Sequence, residues 1–368
     1  MANTINLGNG DWATKEDSLL GYNNENAAYK PLPFDFTRAS SGTVVNRQGL
    51  IETVALGLPR IDFQDNTNGS LLLEPQSTNL ITYSEDFSDA IWTGGATNAT
   101  VTASTNVNPS GNSGTYLVER VTGSQLGAVA SVTAGLSYTG SIYVRNVSGS
   151  GAITLRDVNS VSTPFTATSE WQRFSVTGVA TGAGRLYINV LTTGDIIEVW
   201  GAMLEQQSYA TSYIPTEGTT VTKNQDLCNN GGSAALINNT EGVLYAEFSL
   251  LFQEGVTDRT IQLRGGGQDC RIRFLSAGTL RWTLIGNNTT IARSLTLVNT
   301  NINKVAIRYS SASADIWING SLADTANNGM TYTSLDELTL DGFYSNTKAV
   351  AVYNTALSDQ ELQILTTI

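Results

Sequence analysis

The chain has 368 residues, a formal net charge of −12 and a pI near 4.5. This charge argues against nucleic acid or anionic lipid as the main partner, because phosphate binding needs clustered lysines and arginines and no basic run occurs. The sequence contains no histidine, which excludes imidazole-based catalytic triads and zinc sites. No apolar run reaches about 18 residues, so we expect no insertion into a membrane.

The composition favours an all-β fold. Thirty-five glycines and only 14% charged residues are typical of many short strands joined by turns. Because single cores rarely grow beyond about 250 to 300 residues, we expect two or three domains. The first residues lack the basic and apolar regions of a secretory signal, which predicts synthesis in the cytoplasm. Cys228 and Cys270 are the only cysteines, and we expect both to be unpaired and half-buried.

The sequence of residues 1–79 predicts one short helix and several short strands. The run WATKEDSLLG predicts a short helix, because Thr14 and Asp17 form a cap-like pattern and Gly21 would end it. Further on, TVVN and LIETV flank the turn residues RQG, and SLLLE follows the turn DNTNG, so we expect short strands. These pieces bury too little apolar surface to offset roughly 1 to 2 kcal/mol per residue of backbone ordering. We therefore expect this segment to order against neighbouring copies, as a homotrimer, or against another protein.

The next part of the chain, residues 80–216, predicts a β-sandwich, since strand-like runs alternate with turn signals at short intervals. In SIYVRNV, alternation places Ile142 and Val144 on one face and Tyr143 and Arg145 on the other. The runs NLITYSEDFSDAIWT, SEWQRFSVTG and WGAMLEQQSYATSYIPT resemble, in this order, the carbohydrate-binding-module-like jelly rolls of bacteriophage fibre and tail proteins. The earlier run PLPFDFTRASSGTVVNRQGLIETV resembles the segment that precedes such modules.

This resemblance implies that residues 1–79 form a virion-attachment segment, which would bind capsid or tail proteins. Residues 217–226, with Pro215 before them and Gly218 inside, predict a linker. The protein would then be synthesised in the cytoplasm of a host cell and would lie on the virion surface, as a head fibre or a tail appendage.

Residues 227–368 predict a second sandwich. The landmarks AIRYSSASADIWING and AVYNTALSDQELQIL resemble those of laminin-G and concanavalin-A-like jelly rolls. Asn319 and Gly320 predict a tight hairpin turn. Ser358 and Glu361 form a capping box, which predicts a terminal helix whose leucines pack onto the sandwich.

The acidic residues give little support to catalysis or metal binding. The resemblance implies that catalytic relatives of this jelly roll carry carboxylates two and four residues apart on one strand, whereas EGVLYAEFSLL offers only Glu247. We therefore expect a protein that is not an enzyme. Asp62, Asp65 and Asn66 could hold calcium through oxygen ligands, but turns select the same residues for backbone reasons. We predict no cofactor and leave a structural calcium open.

Aromatic side chains are the usual platform for a sugar, because a ring face packs against its C–H groups. Trp317 is the best candidate for an exposed ring, since Ile316 and Ile318 occupy the opposite face of their strand. Trp171 and Trp200, at strand positions of the first module, are expected in the core. The complete set of predicted glycan-binding residues is Trp317, Trp282, Tyr143 and Trp92.

The sequence thus predicts a fibre or appendage protein of a phage virion that binds host or environmental glycans without cleaving them. One alternative is a glycan depolymerase of a phage tail, either a hydrolase or a lyase. Another is a bacterial surface adhesin, although this class predicts a signal peptide or an anchor that the sequence does not show.

Overall fold

The computed structural model of the chain describes residues 3–21, 33–93, 99–182, 184–251, 259–276, 279–286, 289–296, 303–326, 329–340 and 342–368. In these ranges the chain forms thirty strands and two short helices. The predicted all-β class, with sandwich modules in tandem, is therefore confirmed. Neither of the helices in the described ranges is long and apolar enough to cross a membrane.

We call residues 1–79 the lead. Its strands are β1 (Ile5–Gly8), β2 (Ala13–Lys15), β3 (Ser18–Leu20), β4 (Pro33–Thr37), β5 (Gly42–Val45), β6 (Ile51–Val54), β7 (Ile61–Asp62), β8 (Ser70–Leu73) and β9 (Ser77–Asn79). The middle of the chain contains α1 (Ala90–Thr93), β10 (Thr100–Val107), β11 (Ser113–Glu119), β12 (Gln125–Ala130), β13 (Ser137–Ser148), β14 (Ala152–Arg156), β15 (Ser162–Thr166), β16 (Gln172–Val179), β17 (Gly184–Val190) and β18 (Ile196–Glu205).

The last part of the chain starts with two short strands and ends with a helix. Its elements are β19 (Val221–Lys223), β20 (Leu227–Asn229), β21 (Gly242–Leu250), β22 (Arg259–Gly265), β23 (Gln268–Ser276), β24 (Thr279–Ile285), β25 (Thr290–Thr296), β26 (Asn303–Tyr309), β27 (Ala314–Ile318), β28 (Ser321–Ala326), β29 (Glu337–Thr339), β30 (Ser345–Tyr353) and α2 (Asp359–Thr366).

The first sandwich packs a five-stranded sheet, in the order β10-β11-β18-β13-β16, against a four-stranded sheet, β12-β17-β14-β15. Apolar side chains from both sheets share one core. Ile142 and Val144 of β13 lie in this core, while Tyr143 and Arg145 stay partly exposed on the other face. The alternation predicted for this strand is confirmed.

The second sandwich is larger. An eight-stranded sheet has the order β28-β27-β26-β21-β30-β8-β7, with β1 also paired to β30, and a five-stranded sheet has the order β25-β24-β23-β22-β29. Their shared core includes Leu244, Ile272 and Val350. Cys228 and Cys270 are unpaired, as predicted, but fully buried in the same core rather than half-buried.

The lead is built into this second sandwich. Strand β1 pairs with β30, as Leu7 does with Val350, and β8 pairs with the other end of β30. A third sheet, β2-β3-β4-β20, adds Phe34 and Phe36 to the core, where both are fully buried. In the described residues, the apolar cover that we expected from neighbouring copies is therefore supplied by the same chain.

The helix predicted at residues 12–21 is wrong. Residues 13–20 form the β2–β3 hairpin, in which Asp17 adopts a left-handed conformation with φ of 56°. Leu19 pairs with Phe34 of β4 and is fully buried. An isolated helix this short is marginal, so the long-range pairing outweighs the local cap-like pattern.

Other local predictions are confirmed. Strands β5 and β6 form the hairpin around the RQG turn. Asn319 and Gly320, with φ of 50° and 82°, join β27 to β28. The capping box of Ser358 and Glu361 starts α2, which packs on the outer face of the eight-stranded sheet.

A buried network of five charged residues joins the lead to the linker. Arg38 lies 3.0 Å from Asp226, and Arg60 contacts both Asp226 and Glu74, the latter at 2.9 Å. Lys223 lies 3.4 Å from Glu74. These side chains are at most 3% exposed. Because each charge has an opposite partner, the network fixes how the lead and the linker meet.

Candidate functional site

A cleft of about 540 Å³ lies between the β5–β6 hairpin and the outward face of the five-stranded sheet of the first sandwich. We call it the outer cleft. Part of its wall is apolar and open to solvent, because Leu50 is 38% exposed and Val107 is 56% exposed. Its lining also includes Phe63, Gln64, Asn108, Tyr143, Arg145, Glu170, Trp171 and Arg173.

Four of these side chains form a regular pattern. Tyr143 of β13 is directly opposite Arg173 of β16, so the next same-face positions along the two strands are Arg145 and Trp171. The guanidinium carbon of Arg173 lies 5.5 Å from the centre of the Tyr143 ring, and that of Arg145 lies 4.9 Å from the centre of the Trp171 ring. Rings and guanidinium groups thus alternate, and we call this pattern the checkerboard.

Two hydrogen-bonded contacts hold one half of the checkerboard in place. The indole Nε1 of Trp171 donates to the carbonyl of Val107 at 3.1 Å. Arg145 donates from Nε to Glu198 Oε2 at 2.7 Å, and its Nη2 lies 2.6 Å from the same oxygen. Glu198 has no exposed side-chain area, so this ion pair is shielded on the carboxylate side. The Trp171 ring and the guanidinium across it are therefore fixed before any ligand arrives.

Arg173 is held differently. Its Nη1 donates to the carbonyl of Thr211 at 2.6 Å, and its Nη2 donates to Ser141 Oγ at 2.9 Å and lies 3.3 Å from Met203 Sδ. All three acceptors are neutral. Its Nε is buried and has no hydrogen-bond partner. Within the described ranges, Arg173 forms no ion pair.

An inner cavity of about 240 Å³ adjoins the outer cleft, since Tyr143 and Arg173 line both. The inner cavity is where three parts of the chain meet. The lead contributes Asp62, and the second sandwich contributes Leu251 and Asn346. Burial raises the pKa of the Tyr143 phenol, so this group is a neutral hydrogen-bonding partner at ordinary pH.

The acidic and amide side chains considered for calcium mostly support their own turns. Asp62 accepts hydrogen bonds from the backbone N–H groups of Val45 at 2.8 Å and Gln64 at 3.2 Å. Asn66 donates to the carbonyl of Gly69 at 2.8 Å. Burial raises the pKa of Asp62 despite its two hydrogen bonds. No group of three or more carboxylate or thiol side chains within the described part of the chain is placed to hold a metal ion.

Of the four predicted glycan-binding residues, Tyr143 alone lies in the outer cleft. Trp282 is fully buried in the second core and donates from Nε1 to Asp324 at 3.1 Å. Trp92 is 1% exposed and donates to the carbonyl of Tyr83 at 2.8 Å.

The exposure predicted for Trp317 is wrong. Its ring is 7% exposed and packs in a cluster with Leu357 and Leu362 at the C-terminal end of the chain. The strand alternation was interpreted correctly, because Ile316 does lie in the core on the opposite face. The face that carries Trp317 is covered by α2, which the prediction did not take into account.

The sequence interpretation missed Trp171, which we expected in the core. Its ring is partly exposed and lies in the outer cleft. Trp200, also expected in the core, is indeed 2% exposed. The signal that could have identified Trp171 is its register with Arg145, but that register depends on the pairing of β13 with β16, which the sequence does not reveal.

A second open cavity, of about 780 Å³, lies at one end of the first sandwich. Its polar groups already bond within the chain, because Glu85 accepts from the Tyr213 hydroxyl and Asp86 accepts from the Tyr116 hydroxyl, each at 2.8 Å. The hydrogen bond from Ser88 holds the pKa of Asp86 below its usual value. The checkerboard, with its open rings and its unpaired cation, is the stronger candidate for a binding site.

No family model matches the chain, and no curated protein matches it. Among solved structures, it is similar to the CBM40 of the Ruminococcus gnavus IT-sialidase bound to alpha2,3 sialyllactose, at 14% identity and a TM-score of 0.31, over 38% of this chain and 93% of that one. It is also similar to the CBM22-1-CBM22-2 tandem of Paenibacillus barcinonensis Xyn10C (10% identity, TM-score 0.25, 77% and 98% covered). A third is mouse laminin alpha1 LG4-5 (9% identity, TM-score 0.23, 64% and 85% covered). At these TM-scores the likeness is distant, and the strand pairing of the chain itself establishes the sandwich architecture.

Proposed function

We propose that the chain binds a glycan in the outer cleft without cleaving it. The observation that carries this proposal is the checkerboard, in which two aromatic rings and two guanidinium groups alternate at one open surface. A ring face packs against the C–H groups of a sugar, while neighbouring polar groups bond its hydroxyls. Gln64, Asn108 and Glu170 supply further polar groups along the same cleft.

The carboxylates at the cleft support binding rather than hydrolysis. Glycoside hydrolysis usually needs two carboxyl groups about 5 to 10 Å apart. Among the described residues that line the outer cleft, Glu170 is the one carboxylate. In the inner cavity, Asp62 accepts backbone hydrogen bonds and Glu74 is paired with Arg60. A reducing-end assay on any bound glycan tests this part, and new reducing ends would favour the depolymerase alternative.

The binding proposal is tested by removing one ring from the checkerboard. We expect Trp171→Ala to lower the affinity for a glycan selected on an array by at least tenfold, because the indole ring supplies the surface on which the sugar stacks. Tyr187→Ala is the matched control, because Tyr187 is also partly exposed and carries two arginines, Arg156 and Arg185, over its ring. It belongs to β17, in the other sheet of the first sandwich.

Thermal unfolding of both variants separates binding from folding. The proposal predicts that Trp171→Ala unfolds near the wild-type temperature and loses binding, while Tyr187→Ala retains binding. If the two variants bound equally well, or if the wild-type chain retained no glycan at all, the outer cleft would not be a glycan site.

We also propose, from the sequence resemblance, that the chain is a fibre or appendage of a phage virion, on the head or the tail, and that the lead binds other virion proteins. In this role the protein would be a homotrimer on the virion surface. Light scattering of the full chain measures the oligomeric state, and immunogold labelling of particles measures the location. A monomer that is absent from particles would contradict both parts.

A further inference from the structure

Arg173 differs from the two fully buried arginines of the lead and from Arg145, its neighbour in the checkerboard. Arg38, Arg60 and Arg145 each have a carboxylate oxygen within 3.0 Å. Arg173 is partly buried yet bonds only to neutral acceptors, and its Nε has no partner. A partly desolvated cation is costly unless an anion accompanies it. Burial raises the pKa of the nearby Glu205 and the charge of Arg173 offsets this in part, but no carboxylate among the described residues forms an ion pair with Arg173. The cleft therefore holds a cation without a contacting anion, in a protein whose net charge is −12.

We propose, resting on the glycan-binding function above, that the bound glycan carries a carboxylate group and that Arg173 is its counter-ion. A planar guanidinium group suits a carboxylate better than it suits a hydroxyl, because charge-assisted hydrogen bonds are roughly twice as strong as neutral ones. The ligand would then complete an ion pair of the kind that the chain supplies to Arg38, Arg60 and Arg145.

The surroundings of Arg173 indicate on which side the anion lies. The inner cavity is also lined by Asp62, Asp65 and Glu74, so an anion there would meet three carboxyl groups. Glu170 is the one carboxylate among the described residues that line the outer cleft. The ligand carboxylate therefore lies on the outer side of Arg173.

The register then places the sugar. Arg173 and Arg145 are diagonal neighbours on β16 and β13, a separation of about 7 to 8 Å between backbones. Arg145 is already neutralised by Glu198, so it offers hydrogen-bond donors without attracting a second anion. A sugar whose carboxylate pairs with Arg173 can thus rest its ring on Trp171 and bond hydroxyls to the arginine beside it. The ligand that we propose is therefore an acidic glycan, which contains uronic or sialic acids.

The test uses the full chain on an array of glycan pairs that differ in one carboxylate group. Suitable pairs are oligogalacturonates with their methyl esters, carboxyl-reduced with native hyaluronan oligosaccharides, and sialylated with desialylated lactosamines. Sulfated glycans are included as anions of a different geometry. We expect retained glycans to carry a carboxylate and their neutral partners to bind at least tenfold more weakly.

Variants at Arg173 then locate the effect. Arg173→Met removes the charge at similar length, and we expect it to reduce binding of the acidic glycan at least tenfold and to reduce that of the neutral partner by a smaller factor. Arg173→Lys retains the charge and should retain part of the affinity. Arg156→Met is the matched control, since Arg156 also lies over a tyrosine ring but in the other sheet. Should Arg173→Met fail to fold, the paired array on the wild-type chain decides whether a carboxylate is needed, and Arg173→Lys tests the assignment to this residue.

The outcomes distinguish this inference from the function on which it rests. If neutral and acidic partners bind equally, or if sulfated glycans bind as well as carboxylated ones, the carboxylate inference is wrong while glycan binding stands. If no glycan is retained, both fail. If acidic glycans bind selectively but Arg173→Met leaves the selectivity unchanged, the assignment to Arg173 is wrong.

Discussion

Two tryptophans differ in exposure from what we expected from the sequence, one through strand alternation and the other through the family resemblance. Trp317 lies on the face opposite the core of the second sandwich, yet α2 covers that face and leaves the ring 7% exposed. Trp171 immediately precedes β16 of the first sandwich, and its ring lies in the outer cleft. Exposure at a single residue therefore depends on what covers the sheet, which periodicity cannot tell.

We accordingly expect Trp317→Ala to lower the free energy of unfolding by about 3 to 5 kcal/mol, as large-to-small changes of buried aromatic residues do. The loss would also leave Asp315 without the hydrogen bond that Trp317 Nε1 donates at 3.0 Å. Trp171→Ala, at a partly exposed ring, should cost much less. Urea unfolding of both variants measures the difference, and equal losses would show that Trp171 is also a core residue.

The pKa values of the two buried glutamates near the junction of the modules are shifted in opposite directions. Burial alone would raise the pKa of Glu74, but Lys223 and Arg60, with hydrogen bonds from Ser212, hold it at about 2. Burial raises the pKa of Glu205, and the hydrogen bonds from Ser77 and Thr211 offset this only in part. The first carboxylate is compensated by cations, whereas the second has hydroxyl and N–H donors.

This difference predicts opposite contributions to stability as pH changes. In the folded protein the pKa of Glu74 lies below the usual value of about 4.3, so the ionised carboxylate stabilises the fold above about pH 4.3. This contribution to the free energy of unfolding is lost as the pH falls towards about 2. Glu205 has a raised pKa, so it destabilises the fold as pH rises above about 4.3. We expect Glu74→Gln to cost about 3 to 5 kcal/mol at pH 7, since it breaks a buried ion pair.

Glu205→Gln should cost less than Glu74→Gln at pH 7, and its stability relative to wild type should improve between pH 4 and pH 7. Urea unfolding of the three proteins across this range measures both quantities. A loss for Glu205→Gln as large as that for Glu74→Gln would show that its ionised form is needed after all.

At the scale of elements, α2 is a short helix that depends on its cap and on the sheet beneath it. Ser358 accepts from the N–H of Glu361 and Glu361 accepts from the N–H of Ser358. We expect Ser358→Ala to reduce the free energy of unfolding by about 1 kcal/mol, the usual cost of losing a helix N-cap. Because Leu362 packs on Trp317, quenching of tryptophan fluorescence by acrylamide should increase as well. No change in either quantity would mean that packing alone holds the helix.

The predictions that succeeded concern elements whose information is local. The capping box before α2, the turn at Asn319 and Gly320, and the alternation of Tyr143 with Ile142 each depend on residues a few positions apart. The predictions that failed depend on distant partners. The cap-like pattern at Thr14 gave way to pairing with β4, and the face of Trp317 was covered by an element about forty residues later.

The candidate site could be predicted only in part, for the same reason. Strand alternation placed Tyr143 and Arg145 on an open face. Trp171 and Arg173 lie on that face because β16 pairs with β13 in a particular register. Leu50 lies beside it because the β5–β6 hairpin packs against the same sheet. Neither relation is encoded by local spacing, so half of the checkerboard and one wall of the cleft were not recognisable.

At the scale of the whole molecule, the lead belongs to the second core. Ile5, Leu19, Phe34 and Phe36 are fully buried there, together with Leu71 from β8. We expect a variant that lacks residues 1–79 to lose cooperative unfolding of the second sandwich, because the removed side chains would leave a large cavity and an unpaired edge on β30.

Circular dichroism melts and hydrogen exchange of this variant test the expectation, with protection of β21 and β30 as the specific readout. Protection of β14 and β17, whose buried side chains belong to a core of residues after position 79, serves as the internal control. Protected amides in β30 of the shortened chain would show that residues 1–79 are dispensable for the second core.

The pairing of β1 and β8 with β30 also sets an order of events on the ribosome. The partner of both early strands is residues 345–353, so they emerge long before the strand that closes their sheet. At about 5 to 20 residues per second, synthesis leaves them without that partner for roughly tens of seconds. The first sandwich is complete well before then and can fold while translation continues. Newly made chains therefore pass through a stage with one finished sandwich and, before it in the chain, apolar strands that still lack their partner.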